Sequence, residues 1–287
     1  MRTVVLRDCD HIVSPVTLAG SMQRAPSYLT CFQRIALSCL QAIESNHRSA
    51  VAGDPEAVHR MRIELTRLRA AALFFEPATD DGAWPDIDRQ LRWLNSSLGR
   101  TRNRDVAVEY ADRNRYRRWA GHSRRSLLRS QDKAHRRLAR KLGSGRYNRL
   151  ASEIRRWISA RPAPRGNRAR PLDQVDVYCE QRLREWRNVI STQGRHIRTL
   201  RRKPLHRLRI LSKHYRYIVE ALMDRDIPVS REDFLFCETA KQVHRTLGEL
   251  RDLRLLRKAI GRRPPRFRKR ARELIQRVGD LFERSIF

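Results

Sequence analysis

A pentapeptide that occurs twice sets the frame for this chain. His59-Arg60-Met61-Arg62-Ile63 returns as His206-Arg207-Leu208-Arg209-Ile210, 147 residues later in a chain of 287. A second motif follows each copy at nearly the same distance. Leu98-Gly99 is trailed by Arg102 and Asn103, and Leu247-Gly248 by Arg251 and Asp252. Two motifs in one order, half a chain apart, point to an internal duplication. Each half would then be one bundle of about four helices.

The periodicity agrees with that reading. Leu29, Phe32, Ile35, Ala36, Cys39, Leu40 and Ile43 recur at helical spacing, from Tyr28 to about Arg48. Asp54-Pro55-Glu56 is a helix start, and the helix is expected to run to about Glu76, stopped by Pro77. Further helices are expected from Pro85 to Tyr110, over 115–142, and through Leu150, Ile154, Trp157 and Ile158. Residues 159–172, rich in proline and arginine, read as a linker between a first repeat (26–158) and a second (173–287). The second repeat is expected to hold helices at Asp173–Gln193, Pro204–Met223, Arg231–Ile260 and Arg266–Phe287. Residues 1–25 lack sustained periodicity and read as a loose leader. No β-alternation is convincing, so the class is all-α.

On a helical wheel, His59, Arg62, Thr66 and Arg69 share one sector, while Met61, Leu65, Leu68, Ala72 and Phe75 occupy the other side. The second copy matches. His206, Arg209, Lys213 and Arg216 form one stripe, and Leu208, Tyr215, Val219 and Leu222 the other. Each cationic stripe is about 15 Å long. Most charged helix faces are merely solvated, but such faces mix signs, and like charges at this spacing destabilise a helix. From Trp186 to Val219 there are ten Lys/Arg and no Asp or Glu. The whole chain carries 63 Lys+Arg against 31 Asp+Glu, a net charge of +32. A polyanionic partner is the natural neutraliser: a phosphate polymer, nucleic acid or an anionic membrane surface. Arginine dominates, and its planar fork grips phosphate oxygens in pairs. A histidine at the head of each stripe can hydrogen-bond an anion and gain a proton beside it.

At these residues the sequence resembles the CHAD family, the conserved histidine α-helical domain, whose helix pattern H-x-x-R-x-x-x-[RK]-[RK]-x-R stands in each half. The matching positions are His59, Arg62, Arg67 and Arg69, then His206, Arg209, Lys213 and Arg216, with the Leu-Gly-x-x-Arg-[Asp/Asn] motif after each. The likeness covers about residues 26–287. It implies two pseudo-symmetric four-helix bundles facing across a basic groove or pore. The ligand it implies is inorganic polyphosphate, often in cytoplasmic granules. Thr66 stands where the first copy usually has Lys or Arg, and His214 where the second usually has Arg. Either the groove is weaker at those positions, or a hydroxyl and a neutral imidazole hold phosphate there. Arg34, Thr66, Arg102 and Arg251 are the secondary binding candidates. The E-x-E-x-K opening of the triphosphatase domain often fused to this family is not found, so the expectation is a stand-alone binding module.

Other classes fit less well. Nucleic acid explains the charge, but no RNP pattern, zinc finger or zipper occurs, and Trp93, Trp157 and Trp186 read as core. No P-loop is present, and Glu64, Glu76 and Glu220 do not form a metal cluster, so the expectation is a binder and not an enzyme, with no metal and no cofactor. The segment Arg254–Arg272 has ten Lys/Arg and no acid, and reads as a contribution to the general field. Five cysteines, odd in number and without a CxxC, fit a reducing cytoplasm. No apolar run reaches the length of a membrane span.

Overall fold

A computed structural model describes residues 27–79, 82–160, 175–261, 263 and 266–284. The described residues are helical, with no strand among them. In chain order the helices are α1 (Tyr28–Ser45), α2 (His47–Val51), α3 (Pro55–Phe74), α4 (Glu76–Thr79), α5 (Trp84–Asp112), α6 (Asn114–Leu142) and α7 (Gly145–Ser159). After these come α8 (Val175–Arg195), α9 (Arg202–Met223), α10 (Arg231–Ile260) and α11 (Phe267–Arg284). The leader 1–25 and nearly all of the linker 159–172 lie outside the described residues.

Local chemistry explains the starts. The Ser27 hydroxyl accepts from the amide of Thr30 at 3.2 Å and caps α1. Asp54 accepts from the amide of Glu56 at 2.8 Å, and Pro55 fills the first turn of α3, as the sequence implied. Helix α10 ends at Gly261, whose φ of +80° suits glycine. One expected stop is wrong. Helix α3 ends at Phe74, and the ψ of +42° at Phe75 leaves the helical region before Pro77 is reached. Pro77 instead sits in the first turn of the next short helix, where its missing N–H costs nothing.

Helix α3 is the hub of the first half. Its apolar face, including Met61, Leu65, Leu68 and Phe74, is wholly buried, against α1 and α5. Helix α9 plays the same part in the second half, burying Leu208, Tyr215, Val219 and Leu222 against α8 and α10. The halves join directly, α3 on α9 and α5 on α10. An aromatic seam closes one end, where Tyr178 of α8 stacks on Phe75 at 5.8 Å and donates its hydroxyl to the Phe74 carbonyl. Trp157 is buried in the core, whereas Trp93 and Trp186 are only partly covered. Arg146 lies 4.1 Å over the Trp93 ring, so that side chain is capped rather than buried.

The second half is pinned by one buried carboxylate. Asp233 accepts from Arg187 at 2.6 Å and from the Tyr215 hydroxyl at 2.7 Å, while its own amide is capped by Ser230 at 3.1 Å. Asp233 thereby ties α8, α9 and α10 together. Asp233→Ala would leave the Arg187 guanidinium buried without that partner. Urea unfolding should show a loss of about 3 kcal/mol or more. A loss near zero would mean that water or Glu232 replaces the contact.

Candidate functional site

The two cationic stripes meet where α3 packs on α9. Arg62 points from α3 across α5, with its guanidinium over Gly99, where a β-carbon would touch it at 3.6 Å. The first Leu-Gly motif therefore makes the bed for the first arginine. Its counterpart Gly248 has open space around it, and nothing in the structure explains its identity. Arg251 reaches from α10 to the side-chain oxygen of Asn103 on α5, so the second motif of each half also joins across the interface.

Crowding of like charge is the dominant electrostatic fact. Burial lowers the Arg62 pKa to about 10, assisted by Arg251 and Arg209. Arg209 is lowered to about 10 by burial and then by Arg251. Lys213 falls well below its ordinary value through burial, then through Arg62, Arg209, Arg216 and Arg251. The side chains of Arg62, Arg209 and Lys213 have no hydrogen-bond or ion-pair partner among the described residues. The Nε of Arg209 is fully enclosed and unsatisfied, with the residue only 9% exposed.

A buried cation normally takes a carboxylate with it. Arg187, at similar exposure, does so twice, to Asp233 at 2.6 Å and Glu232 at 2.8 Å. At the α3–α9 interface the Tyr217 ring lies 5.4 Å from the Lys213 ammonium and 4.9 Å from Arg216, and the neighbouring carboxylates Asp252 and Glu220 are already engaged by Arg251 and Arg216. A polyanion entering here would meet the unpaired donors of Arg62, Arg209 and Lys213.

Four histidines ring the cluster and are held neutral. His59 is lowered by burial and by Arg102. His206 is lowered by its partial removal from water, then by Arg209, Arg251 and Arg202. His214 falls to about 3 and His244 to about 2, in each case through burial first and neighbouring cations second. The expectation from sequence was a histidine that gains a proton beside an anion. In the free protein the neighbouring cations forbid it, and an arriving anion would reverse that effect.

The candidates from sequence divide into three groups. His206, Arg209 and Arg251 line a cavity of about 1180 Å³ between α9 and α10, with Asn103 of α5 in its wall. Arg62, Lys213 and Arg102 lie against that group electrostatically, whereas His59 faces Arg102 rather than the cavity. The rows thus converge at Arg62 and Arg209, although they do not form two matching walls of one cavity.

The remaining candidates are engaged elsewhere. Arg67 pairs with Glu64 at 2.8 Å and Glu220 at 3.5 Å. Arg69 donates to Asp88 at 2.7 Å, and Arg216 sits 3.5 Å from Glu220. Thr66 is buried and donates its hydroxyl to the Arg62 carbonyl at 2.8 Å, so that proton is not offered to a ligand. His214 lies near Trp186, on a different sector from Lys213. Arg34 is exposed on α1, its carbonyl accepting from Arg225.

Sequence reasoning missed Arg202, Arg254, Arg257 and Lys258, which line the cavity, and His244 and Tyr217, which face the cluster. The acid-free stretch from Arg254 was visible, but its place beside His206 needed the packing of α10 on α9. Among the described residues, no three of His, Cys, Asp and Glu are placed to hold a metal ion. No described helix is long and apolar enough to cross a membrane.

Comparison with known proteins adds to this geometry. The sequence model of the CHAD domain matches residues 34–261. The crystal structure of the CHAD domain from the plant Ricinus communis aligns with a TM-score of 0.71 at 19% identity, covering 93% of this chain and 95% of that one. PptA from Streptomyces chartreusis aligns with a TM-score of 0.57 at 17% identity, covering 91% and 96% respectively. At such identities the likeness establishes a common fold. The search of curated proteins returned no match.

The histidines set an acid limit on stability. A histidine whose folded pKa is depressed binds fewer protons folded than unfolded, so stability is full above about 6.5 and is lost as pH falls below it. Between pH 6 and 5 His214 and His244 should each contribute a slope of up to about 1.4 kcal/mol per pH unit. His244→Gln should flatten that limb in urea titrations at the two pH values. An unchanged slope would place the His244 ring in contact with water.

Proposed function

We propose a function from one premise: the chain belongs to the CHAD family. The function is the binding of inorganic polyphosphate at the α9–α10 cavity and the cation cluster behind it. One observation carries the reading. Arg62, Arg209 and Lys213 are gathered largely out of water with no carboxylate bonded to any of them, at the junction of the repeated motifs. A chain of phosphates supplies about one negative charge per unit and has no bases to accommodate. Arg209, Arg251 and Arg254 would hold it by charge-assisted hydrogen bonds, with neutral His206 donating one N–H. We read α3 and α9 as equivalent helices of two duplicated four-helix units, which brings both arginine motifs to one basic groove.

Binding without catalysis is part of the proposal. The carboxylates nearest the cluster are taken by arginines: Asp252 by Arg251 at 2.9 Å, Glu109 by Arg102 at 3.4 Å and Glu220 by Arg67 and Arg216. Cytoplasmic placement at polyphosphate granules follows from the family resemblance and is proposed on that basis. Nucleic acid is the alternative partner. Among the described residues no Phe, Tyr or Trp lines the cavity, so the large stacking platforms that single strands use are missing there.

Titration of long-chain polyphosphate tests this. Arg209→Ala and Arg62→Ala should each weaken binding by roughly 10- to 100-fold, the worth of one charged hydrogen bond. Wild-type affinity should fall steeply with salt. In competition at matched phosphate concentration, polyphosphate should displace duplex DNA. Displacement in the opposite order would assign the groove to nucleic acid.

A further inference from the structure

We propose that a second cationic cleft, between α5 and α6, continues the His206 cavity, so that one long polyphosphate chain engages both. This extends the reading above and rests on it. The cleft encloses about 870 Å³. Its walls carry Arg100, Arg104, Lys133, Arg137, Arg140 and Lys141, and its lining includes no Asp or Glu. Ser97 and Thr101, both buried, lie on its inner side, with Ser126 and Ser130 opposite on α6. Asn103, Leu255 and Lys258 line this cleft and the His206 cavity alike, so the two spaces share a wall and a cation.

The bland alternative is a solvated helix face. Elsewhere on this molecule such faces pair their charges along the helix: Arg184 with Glu180 at 2.7 Å on α8, Lys241 with Glu238 at 3.1 Å on α10. Helix α6 behaves differently. Asp132 is its one acid, and Asp132 is absent from the cleft. Arg104, Lys133, Arg137 and Arg140 have no hydrogen-bond or ion-pair partner among the described residues. Lys141 is held below its ordinary pKa by loss of water contact and then by Arg100 and Arg146, which is the signature of crowded cations. These charges line a concavity and lack counter-ions, as the first cavity does.

The lining also selects the ligand. It holds no Phe, Tyr or Trp, so bases would find nothing to stack on. Hydroxyls and guanidinium groups together suit a ribbon of phosphate oxygens. Along α6 the cleft runs from Ser126 to Lys141, about 22 Å of helix. The first cavity runs along α10 from Leu247 to Gly261, about 21 Å. A three-phosphate ligand can occupy one of these spaces. Only a long chain can occupy both.

The test compares wild type with the triple variant Lys133→Ala/Arg137→Ala/Arg140→Ala, whose positions are all exposed and away from the first cavity. Circular dichroism and the melting curve verify that the variant is folded. Each protein is titrated with tripolyphosphate, with long-chain polyphosphate and with single-stranded DNA across a salt series. The variant should keep wild-type affinity for tripolyphosphate and lose roughly tenfold or more for the long chain. Its slope of log affinity against log salt should be shallower by about three, one for each lost contact. Unchanged long-chain affinity overturns the second cleft, and so does an equal loss for both phosphates, which would reflect the general field alone. A loss confined to DNA overturns it in favour of nucleic acid. Wild type binding neither phosphate would sink the reading of the first cavity as well, which separates the two failures.

Discussion

Repulsion among the unpaired Arg62, Arg209 and Lys213, with the Asp252-paired Arg251 beside them, is the constraint around which this molecule is organised. The desolvation of each buried cation costs several kcal/mol when nothing pairs with it. Here that cost is incurred at the contact between two helices that also carry the core. It is tolerated because the other faces of those helices offset it. Met61, Leu65, Leu68, Phe74 and Phe75 on the α3 side, and Leu208, Tyr215, Ile218, Val219 and Leu222 on α9, are sealed from water. At about 1.5–3 kcal/mol for each large apolar side chain, burial outweighs the penalty. The apolar stripe fixes the helices in place, and the cationic stripe is held where it would not settle by itself.

Satisfied and unsatisfied charge are sorted by position. Arg187 is buried with two carboxylates and stabilises the junction of α8, α9 and α10. Arg60, Arg124 and Arg155 are paired at the surface. Around the α9–α10 cavity and the α5–α6 cleft the carboxylates are absent or already engaged. Among the described residues, part of the uncompensated charge is gathered into two concave surfaces. Four neutral histidines border the inner cluster. They lend hydrogen-bond donors without adding to the repulsion until an anion arrives.

Much of the fold was legible because helices announce themselves by period and by caps. Asp54-Pro55-Glu56 starts α3 where expected, and α10 spans Arg231–Ile260 as read. The misreading at Pro77 has a local cause, since proline is as comfortable in a first turn as after a last one. The site was only half legible. Helical spacing correctly set Met61 and Leu65 inside, and it set Arg62 and Arg209 on one kind of face. It could not say that Arg69 would meet Asp88, or that Thr66 would give its proton to the backbone, because such pairings depend on how α3 lies on α5. Nor could period alone bring Arg254 and Lys258 beside His206, since that neighbourhood exists only once α10 packs on α9.

The central claim is that Lys213, Arg62 and Arg209 are unpaired in the free protein and neutralised by a polyanion. Lys213→Met tests it most directly, by melting curves recorded with and without long-chain polyphosphate. Removing an uncompensated buried cation should raise the melting temperature of the free protein, by an amount corresponding to about 1–3 kcal/mol, and should shrink the rise caused by polyphosphate. A free protein made less stable, with the polyphosphate shift intact, would mean that Lys213 already has its partner within the fold, and the account would be wrong.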